Sequence, residues 1–476
     1  MQAWIEMDTR GADFGDERLN ARYQILLERL SDQPSLSIPA ACGGQAETAA
    51  AYRFFDNDKT DPAKILEPHR NGTLKRIRAE AVVIAAQDTT ELDLTRKQEK
   101  VGGPLNDAKR WGLYVHPVLV MTPQRVPLGV VDVEMWSRDP KELDKSSQER
   151  RKERRQKPFA EKESYRWFEG YETACQIAAE APNTKVVCVS DSEGDIYECF
   201  LAGVRDDAKR AEWIVRAGQD DRALAEEDKN LRQLLACQAP LGKMTVQVSK
   251  REASTGDGRK RRQPRESRTA KVTVRSVRTL LRSPGRPGEK LPPVYVNAIL
   301  VREEKPPEGE EPIEWLLLTS LPMATFAEAC TVISYYCCRW EIEVFFRVLK
   351  SGCKIEDLQF EREDRLQVCL AIYLIAAWRV LYVLKTGREC PKLRCDAIFS
   401  EAEWKSVYVI AYQKPAPKTP PTLAVIIPLI AGLGGYLGRK HDGPPGPKTM
   451  WIGMQRMHDF AAAWTAFGPA TAKTCV

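Results

Sequence analysis

The sequence predicts an α/β fold, and two observations indicate it. Between residues 82 and 197 apolar strand-like runs alternate with an amphipathic helical run, and helical patterns lie before and after this region. The chain, at 476 residues, is also longer than one hydrophobic core usually serves. We therefore expect a central α/β region with helical domains at the amino and carboxyl ends.

The first predicted domain is a small helical one over residues 1–72. Asp16 is suited to cap a helix over residues 16–31, in which apolar side chains recur on one stripe. A second, shorter helical region follows it. A turn is predicted at Asn71-Gly72, where this domain ends.

The central region begins with an apolar strand, VVIAAQDTTELDL (82–94). Two strands follow as a hairpin (112–122 and 126–136), then a helix (163–180) and another strand, KVVCVSDSEGDIY (185–197). The order is strand, hairpin, helix, strand, with carboxylates at the ends of the first and last strands. This is the layout expected of a ribonuclease-H-like core.

The core is predicted to span residues 73–385, interrupted by a β-rich insertion at about 218–320 with basic, Pro- and Gly-rich loops. A helical pattern returns at 325–352 and continues through 368–384. Residues 386–476 form the predicted helical carboxyl-terminal domain, which contains a Pro-rich break at 413–421.

Composition and charge exclude several classes of protein. There are 72 Lys and Arg against 66 Asp and Glu, and the basic residues crowd into runs at 150–157 and 259–268, which we interpret as solvated loops that could lie against phosphates. Thirteen cysteines without a CxxC pair indicate reduced thiols, and four scattered histidines argue against zinc. Early charges argue against a secretory signal, and the apolar run 423–438 is short for a membrane span, so we expect a cytoplasmic protein without membrane contact.

The segment RWEIEVFFRVLK (339–350) combines strong charge with apolar side chains. On a helix, at about 100° per residue, Tyr336, Arg339, Glu343 and Lys350 line up on one stripe. A stripe of ordinary surface ion pairs, such as Arg339 with Glu343, is the alternative interpretation. We expect instead that these charges are buried beside apolar neighbours, with Glu343 held against strand-end aspartates.

Asp88 and Asp191 each close an apolar strand, where a carboxylate has little packing purpose. Together with Glu343 they would form an all-oxygen site of the kind that holds Mg²⁺ or Mn²⁺, and a pair of such ions is the recurring solution for in-line attack at a phosphodiester. Asp195 is the alternative to Asp191. Asp191 is favoured because it directly follows the apolar run.

The chain resembles the DDE transposases of the insertion-sequence-four family, most closely those of the Tn-five type. The resemblance lies in QDTT after one strand, SDSEGDIY after another, and YYCCRWEIEVFFRVLKSG with its Tyr-x2-Arg-x3-Glu-x6-Lys spacing. It extends from GDERLNAR and AYRFF through RWGLYVH and EWLLLTS to LGRKHDGPPGPKTMWIG. The family implies cut-and-paste DNA transposition by a homodimer on paired transposon ends: nicking, hairpin formation, hairpin opening and joining to target DNA, all at one site.

The resemblance also implies roles for individual residues. Asp88, Asp191 and Glu343 would be catalytic and would hold two Mg²⁺ ions, which Mn²⁺ can replace, and no organic cofactor is implied. Trp315 matches the position of a tryptophan on which a flipped base stacks, although packing on an apolar strand is the competing reading. The block around Trp451 would form the dimer interface, or else a small core helix. The other implied DNA contacts are Tyr336, Arg339, Arg347, Lys350, Arg216, Arg22 and Arg53.

Two rival functions stay open. One is a ribonuclease-H-like nuclease that hydrolyses DNA without joining it. The other is a DNA-binding protein with a silent site, acting as an inhibitor of transposition.

Overall fold

The chain divides into two units in this computed structural model, which describes residues 2–96, 101–107, 109–205, 209–219, 221–248, 266–285 and 290–468. Unit 1 comprises residues 1–153 and 340–476, and unit 2 comprises residues 154–339. Unit 1 is therefore built from two distant parts of the chain, and unit 2 from the stretch between them. The predicted domain boundaries at 72, 218, 320 and 385 stay predictions.

The first part of unit 1 begins with five helices and continues with five strands. The helices are α1 (Ala3–Thr9), α2 (Glu17–Asp32), α3 (Ile38–Cys42), α4 (Gln45–Phe55) and α5 (Pro62–Ile77). The strands are β1 (Val82–Gln87), β2 (Thr90–Asp93), β3 (Gly103–Pro104), β4 (Trp111–Met121) and β5 (Pro127–Trp136). Helix α6 (Ser147–Gln156) follows. As predicted, the side chain of Asp16 caps α2.

Unit 2 contains four helices and six strands over its described residues. The helices are α7 (Tyr165–Glu180), α8 (Tyr197–Gly203), α9 (Leu231–Ala236) and α10 (Phe326–Cys337). The strands are β6 (Lys185–Ser190), β7 (Glu212–Arg216), β8 (Gly242–Val248), β9 (Arg268–Leu281), β10 (Val294–Arg302) and β11 (Glu314–Thr319).

The second part of unit 1 is helical. It consists of α11 (Trp340–Arg347), a π-helical turn (Val348–Gly352), α12 (Glu363–Glu389), α13 (Glu401–Tyr412), α14 (Leu423–Leu433) and α15 (Pro447–Phe467). Helix α12 packs against α2, α5 and β5 and supplies much of the core. It is also apolar and long enough to cross a membrane, but 89% of its most apolar window is buried inside the protein, as in the core helix of a soluble protein.

The strands of unit 1 are organised around β4. This long strand pairs antiparallel with β1, β2, β3 and β5. Strands β1 and β2 share one register along it, since Gln87 lies opposite Val118 and Thr90 lies opposite Val115. The strand predicted over 82–94 is therefore two strands, separated at Asp88.

The strands of unit 2 form a mixed sheet in the order β6-β7-β11-β10-β9-β8. Only the β6–β7 pair is parallel; the other pairs are antiparallel. The strands of the predicted β-rich insertion thus extend the sheet that begins with β6 and β7. Helix α10 packs over β6, β7 and β9.

Two local predictions were wrong. The Asn71-Gly72 turn lies inside α5, where Gly72 allows close approach of Asp8: a Cβ at position 72 would stand 3.1 Å from the Asp8 Oδ1. The basic run 150–157 is not a loop but belongs mainly to α6, because Ser146 and Glu149 form a capping box at the start of that helix. Most of the second basic run lies outside the described residues.

The helical pattern predicted over 325–352 is confirmed, but the placing of Tyr336, Arg339, Glu343 and Lys350 on one regular helix was wrong. Helix α10 ends at Cys337 and α11 begins at Trp340, and between them the Arg339 N–H donates to the Tyr336 carbonyl at 3.0 Å in a tight turn. The π-helical turn then widens the chain around Lys350. The four signature residues therefore do not follow one regular helical stripe.

Candidate active site

Asp88 stands at the break between β1 and β2 in unit 1. It directly follows the buried strand β1, and its side chain is half-buried. One carboxylate oxygen, Oδ1, accepts a hydrogen bond of 2.8 Å from the Thr89 N–H. The predicted position of this aspartate at a strand end is therefore confirmed.

Asp191 occupies the corresponding place in unit 2, directly after β6. Its side chain accepts a hydrogen bond from the Glu193 N–H at 2.8 Å and so caps a short 3-10 turn, Ser192–Gly194. Because Ser190 lies opposite Val215 in the parallel β6–β7 pair, Asp191 lies beside the end of β7, where Arg216 is the last residue.

Asp195, the alternative to Asp191, has a different environment. Its Oδ2 accepts hydrogen bonds from the N–H groups of Gly218 (2.8 Å) and Gln219 (3.1 Å), and its Oδ1 accepts from Arg222 at 2.6 Å. The side chain is only 2% exposed. These contacts fasten the 191–195 loop to the segment after β7, which is a structural role.

Unit 2 brings several of the predicted residues together around Tyr336, at the end of α10. The ring of Tyr336 packs against Trp315 at 6.3 Å between centroids, and its hydroxyl shares a hydrogen bond with Arg339. Burial raises the pKa of Tyr336, against the opposing charges of Arg339 and Arg216, while the charge of Asp191 raises it further. Asp191 thus shares one electrostatic environment with two arginines, a phenol and an indole.

Two glutamates of α11 have opposite surroundings, which corrects the expectation that Glu343 is buried. Glu343 is exposed. Glu341 is the buried one, and its carboxylate lies 2.6 Å from the Lys385 Nζ and 3.8 Å from Arg125. The two positions are about 200° apart around a helix, so one side chain faces the core when the other faces outward.

Lys350 and Arg347 follow in the same part of unit 1. The Lys350 Nζ donates to the carbonyl of Glu91, on β2, and lies 3.5 Å from the Glu356 carboxylate. Arg347 is exposed. Lys350 is thereby held beside the strand that begins two residues after Asp88.

The remaining predicted DNA contacts lie on the amino-terminal helices. Arg22, on α2, donates to the Glu47 carboxylate at 2.6 Å, and Arg53, on α4, is exposed. Trp451 of α15 is buried within the chain, where its ring packs against Gly352. This contact is the core packing that was the alternative to a place in the dimer interface.

Sequence reasoning missed one residue beside the site. His116, 2% exposed on β4, contacts the side chains on both sides of Asp88. Its signal was a single polar side chain in the apolar run GLYVHPVLV.

The chemistry of the predicted ligands fits a hard divalent cation. Asp88, Asp191 and Glu343 offer carboxylate oxygens, the donors that Mg²⁺ and Mn²⁺ prefer. Within the described part of either unit there is no group of three or more His, Cys, Asp or Glu side chains arranged to hold a metal.

Comparison with family models covers most of the chain. A transposase DNA-binding model matches residues 1–60, a transposase DDE domain matches 132–379, and the Transposase Tn5 dimerisation domain matches 375–467. The chain belongs to the DDE transposase family. The DDE match contains Asp191, Glu343 and the unit 2 cluster, whereas Asp88 lies outside it.

Membership in the DDE transposase family makes the chain a DNA transposase with a DNA-binding segment and a dimerisation segment. DDE transposases generally use divalent metal ions, in keeping with the carboxylates described above. The predicted class, an α/β fold with a ribonuclease-H-like core and helical ends, is confirmed by this match together with the observed elements.

A solved structure, the cryo-EM structure of the piggyBac transposase synaptic complex with hairpin DNA, is also similar to the chain. The identity is 10%, the TM-score is 0.36, and the similarity covers 82% of this chain and 71% of that one.

Proposed function

We propose that this DDE transposase moves its element by cut-and-paste transposition, through nicking, hairpin formation, hairpin opening and strand transfer. It acts as a homodimer on paired transposon ends, in the bacterial cytoplasm at the nucleoid. The observation that carries the proposal is the grouping of Asp191 with Arg216, Tyr336 and Arg339 in unit 2, because it combines a candidate metal ligand with phosphate-binding side chains.

Asp88, Asp191 and Glu343 are the proposed ligands of two Mg²⁺ ions, for which Mn²⁺ substitutes. Bound there, the ions would activate the attacking oxygen and stabilise charge on the leaving oxygen. The choice of Asp191 over Asp195 is supported by the hydrogen bonds of Asp195, because both of its carboxylate oxygens already accept from Arg222 or from backbone N–H groups. The choice of Glu343 over Glu341 is supported by the burial of Glu341 against Lys385.

The cationic side chains are proposed to hold phosphates on either side of the reacting bond. Arg339 and Arg216 offer planar donor groups beside Asp191, and Lys350 and Arg347 offer positive charge after α11. In this role they fix the DNA backbone in register for in-line attack, which is the main contribution that a protein makes to such reactions besides charge stabilisation.

Trp315 is proposed as the face on which a flipped base stacks during hairpin formation. In the DNA-free chain its indole packs against Tyr336 and is 9% exposed, so a base would reach it only if this contact opens. Arg22 and Arg53 are proposed contacts to the transposon end, and the exposed charges of α6 add salt-dependent affinity.

The test uses a duplex that carries the element's own end and flanking DNA, and it compares wild type with Glu343→Gln. Wild type is expected to give Mg²⁺-dependent nicked, hairpin and joined products. Glu343→Gln is expected to bind the duplex equally well and to give none of these products. Glu361→Gln removes another exposed carboxylate of unit 1 and is the matched control, with activity expected within about twofold of wild type.

Three outcomes would contradict the proposal. Nicking without hairpin or joined product would favour a ribonuclease-H-like nuclease. Tight duplex binding without cleavage by wild type in Mg²⁺ or Mn²⁺ would favour a silent inhibitor of transposition. Loss of binding in Glu343→Gln would instead mean that this glutamate acts in DNA recognition.

A further inference from the structure

His116 lies opposite the gap that separates β1 from β2. Both strands pair with β4 in one register, with Gln87 opposite Val118 and Thr90 opposite Val115. Continuing this register across the gap brings Asp88 opposite Pro117 and Thr89 opposite His116. Pro117 has no backbone N–H to donate, so the backbone ladder offers little support to the chain at Asp88.

The imidazole of His116 supplies a side-chain connection at this point. Its Nε2 is 3.1 Å from the Gln87 Oε1, and its Nδ1 is 2.9 Å from the Thr89 Oγ1. The amide oxygen Oε1 of Gln87 can only accept, so Nε2 is the donor in that contact, while Nδ1 and the Thr89 hydroxyl can each donate or accept in theirs. One rigid ring thus joins the residues before and after Asp88.

These contacts restrict the direction of the Asp88 side chain. In an extended chain, residues two apart point to the same side, so Gln87 and Thr89 turn toward His116 and Asp88 points the other way. The Thr89 N–H also donates to the Asp88 Oδ1. Rotation of the chain at position 88 would have to break the hydrogen bonds to the imidazole.

His116 is too deeply buried to touch DNA itself, since only 2% of it is exposed. We propose that His116 is a positioning residue that fixes the direction of the Asp88 carboxylate and thereby lowers the metal concentration that the enzyme needs. This inference rests on the proposed role of Asp88 as a metal ligand. Removing a residue that orients a metal ligand typically costs about 10- to 100-fold in metal affinity.

The test measures Mn²⁺ affinity directly, by calorimetric titration of the enzyme bound to its end duplex, and also the Mg²⁺ concentration that gives half-maximal nicking. His116→Ala is expected to weaken Mn²⁺ binding and to raise the half-maximal Mg²⁺ concentration, each by about tenfold or more. End-duplex affinity in EDTA should stay within about twofold, and saturating metal should restore most of the nicking.

Three further variants sharpen the test. His116→Asn retains a polar atom near the Nδ1 position, and Thr89→Val removes the hydroxyl without changing the shape of the side chain, so each should show a smaller shift in the same direction. His441→Ala removes an exposed histidine and should leave both metal readouts unchanged. If His116→Ala does not fold, the decision falls to His116→Asn and Thr89→Val.

The proposal is wrong if His116→Ala and Thr89→Val lose nicking only in proportion to the folded fraction while both metal readouts stay at the wild-type value. The underlying role of Asp88 is tested separately with Asp88→Asn. If that variant keeps Mn²⁺ affinity and nicking, the ligand assignment itself fails. If Asp88→Asn abolishes both and the His116 variants change neither, only the positioning role fails.

Discussion

Individual residues of the signature segment separate into structural and exposed ones. Glu341 and Glu343 are two positions apart on α11, yet one is buried beside Lys385 and the other is exposed. Burial lowers the pKa of Lys385, and the nearby Glu341 carboxylate opposes that shift. A charge whose partner is buried with it mainly serves the fold, because removing either member leaves the other uncompensated.

Glu341→Gln is therefore expected to destabilise the enzyme by about 3 kcal/mol, because Lys385 remains buried without a negative partner. Thermal and denaturant unfolding of the variant beside Glu343→Gln would measure the effect. Glu343→Gln should unfold like wild type while losing cleavage. Equal unfolding of both variants would contradict the different roles assigned to the two glutamates.

Trp315→Ala is expected to retain nicking and to reduce hairpin yield, by a factor of about 10, because stacking of a base on an aromatic face contributes about 1–3 kcal/mol. Gel analysis of nicked and hairpin products over time would show this separation. Trp315→Phe keeps an aromatic face beside Tyr336 and should recover most of the hairpin. A parallel loss of nicking and hairpin would indicate a packing role alone.

At the scale of elements, each strand-end aspartate lies in a loop that other side chains hold. In unit 1 the connection from β1 to β2 is held by His116. In unit 2 the loop after β6 is held by Asp195, which accepts from Arg222 and from two backbone N–H groups. The candidate ligands thus sit on short, braced connections, and their geometry depends on residues that do not touch the reacting groups.

Asp195→Asn is expected to reduce cleavage by about tenfold and stability by about 3 kcal/mol, because its amide N–H₂ would face the buried Arg222 guanidinium. The double variant with Arg222→Met removes both partners and should recover part of the stability. Denaturant unfolding and nicking rates of wild type, Asp195→Asn and the double variant would test this. Wild-type cleavage by Asp195→Asn would contradict the bracing role.

Sequence could predict the elements but not the contacts between them. The strand-end positions of Asp88 and Asp191 were predictable, because an apolar run that stops at a carboxylate is a local signal. The contact of His116 with Gln87 and Thr89 depends on the register between β1, β2 and β4, to which no local pattern points.

The wrong predictions have the same origin. Gly72 predicted a turn. A glycine is needed at this position because the Asp8 side chain of α1 approaches it closely, and the local sequence does not encode that contact. The helical spacing of side chains in residues 325–352 gives no sign of a break at Cys338. The backbone nevertheless forms a tight turn there and a wider π-helical turn at Val348–Gly352. Tertiary packing, rather than propensity, decides such details.

At the scale of the whole molecule, the amino-terminal and carboxyl-terminal segments of unit 1 meet in a partly buried polar cluster. His458 of α15 lies 3.2 Å from the Asp32 carboxylate and 3.3 Å from the Glu403 carboxylate. Gln2 donates to Asp32 at 2.9 Å. Burial raises the pKa of Asp32 to about 6, against the opposing charge of His458, and the charges of Glu403 and Glu28 add to the rise.

Asp32 is expected to make the stability of unit 1 dependent on pH. The folded state binds the proton of Asp32 more tightly than the unfolded state does. The resulting stabilisation of unit 1 is therefore fully present below the ordinary pKa of 3.8 and is lost as pH rises through about 6. Relative to Asp32→Asn, wild type should therefore gain thermal stability as pH falls from 7 to 5. Asp459→Asn, which alters an exposed carboxylate on α15 next to His458, is the control. If the thermal stabilities of wild type and Asp32→Asn change in parallel with pH, Asp32 is not the source of the pH dependence.

The division of unit 1 into two distant segments affects how the enzyme is made. Residues 154–339, which separate the two segments, take about 10 to 40 s to synthesise at typical rates of translation. During that time α2, α5 and β5 leave the ribosome before α12, the helix that covers them, exists. Nascent unit 1 therefore exposes apolar surface throughout the synthesis of unit 2, and a chain in that state is prone to aggregation.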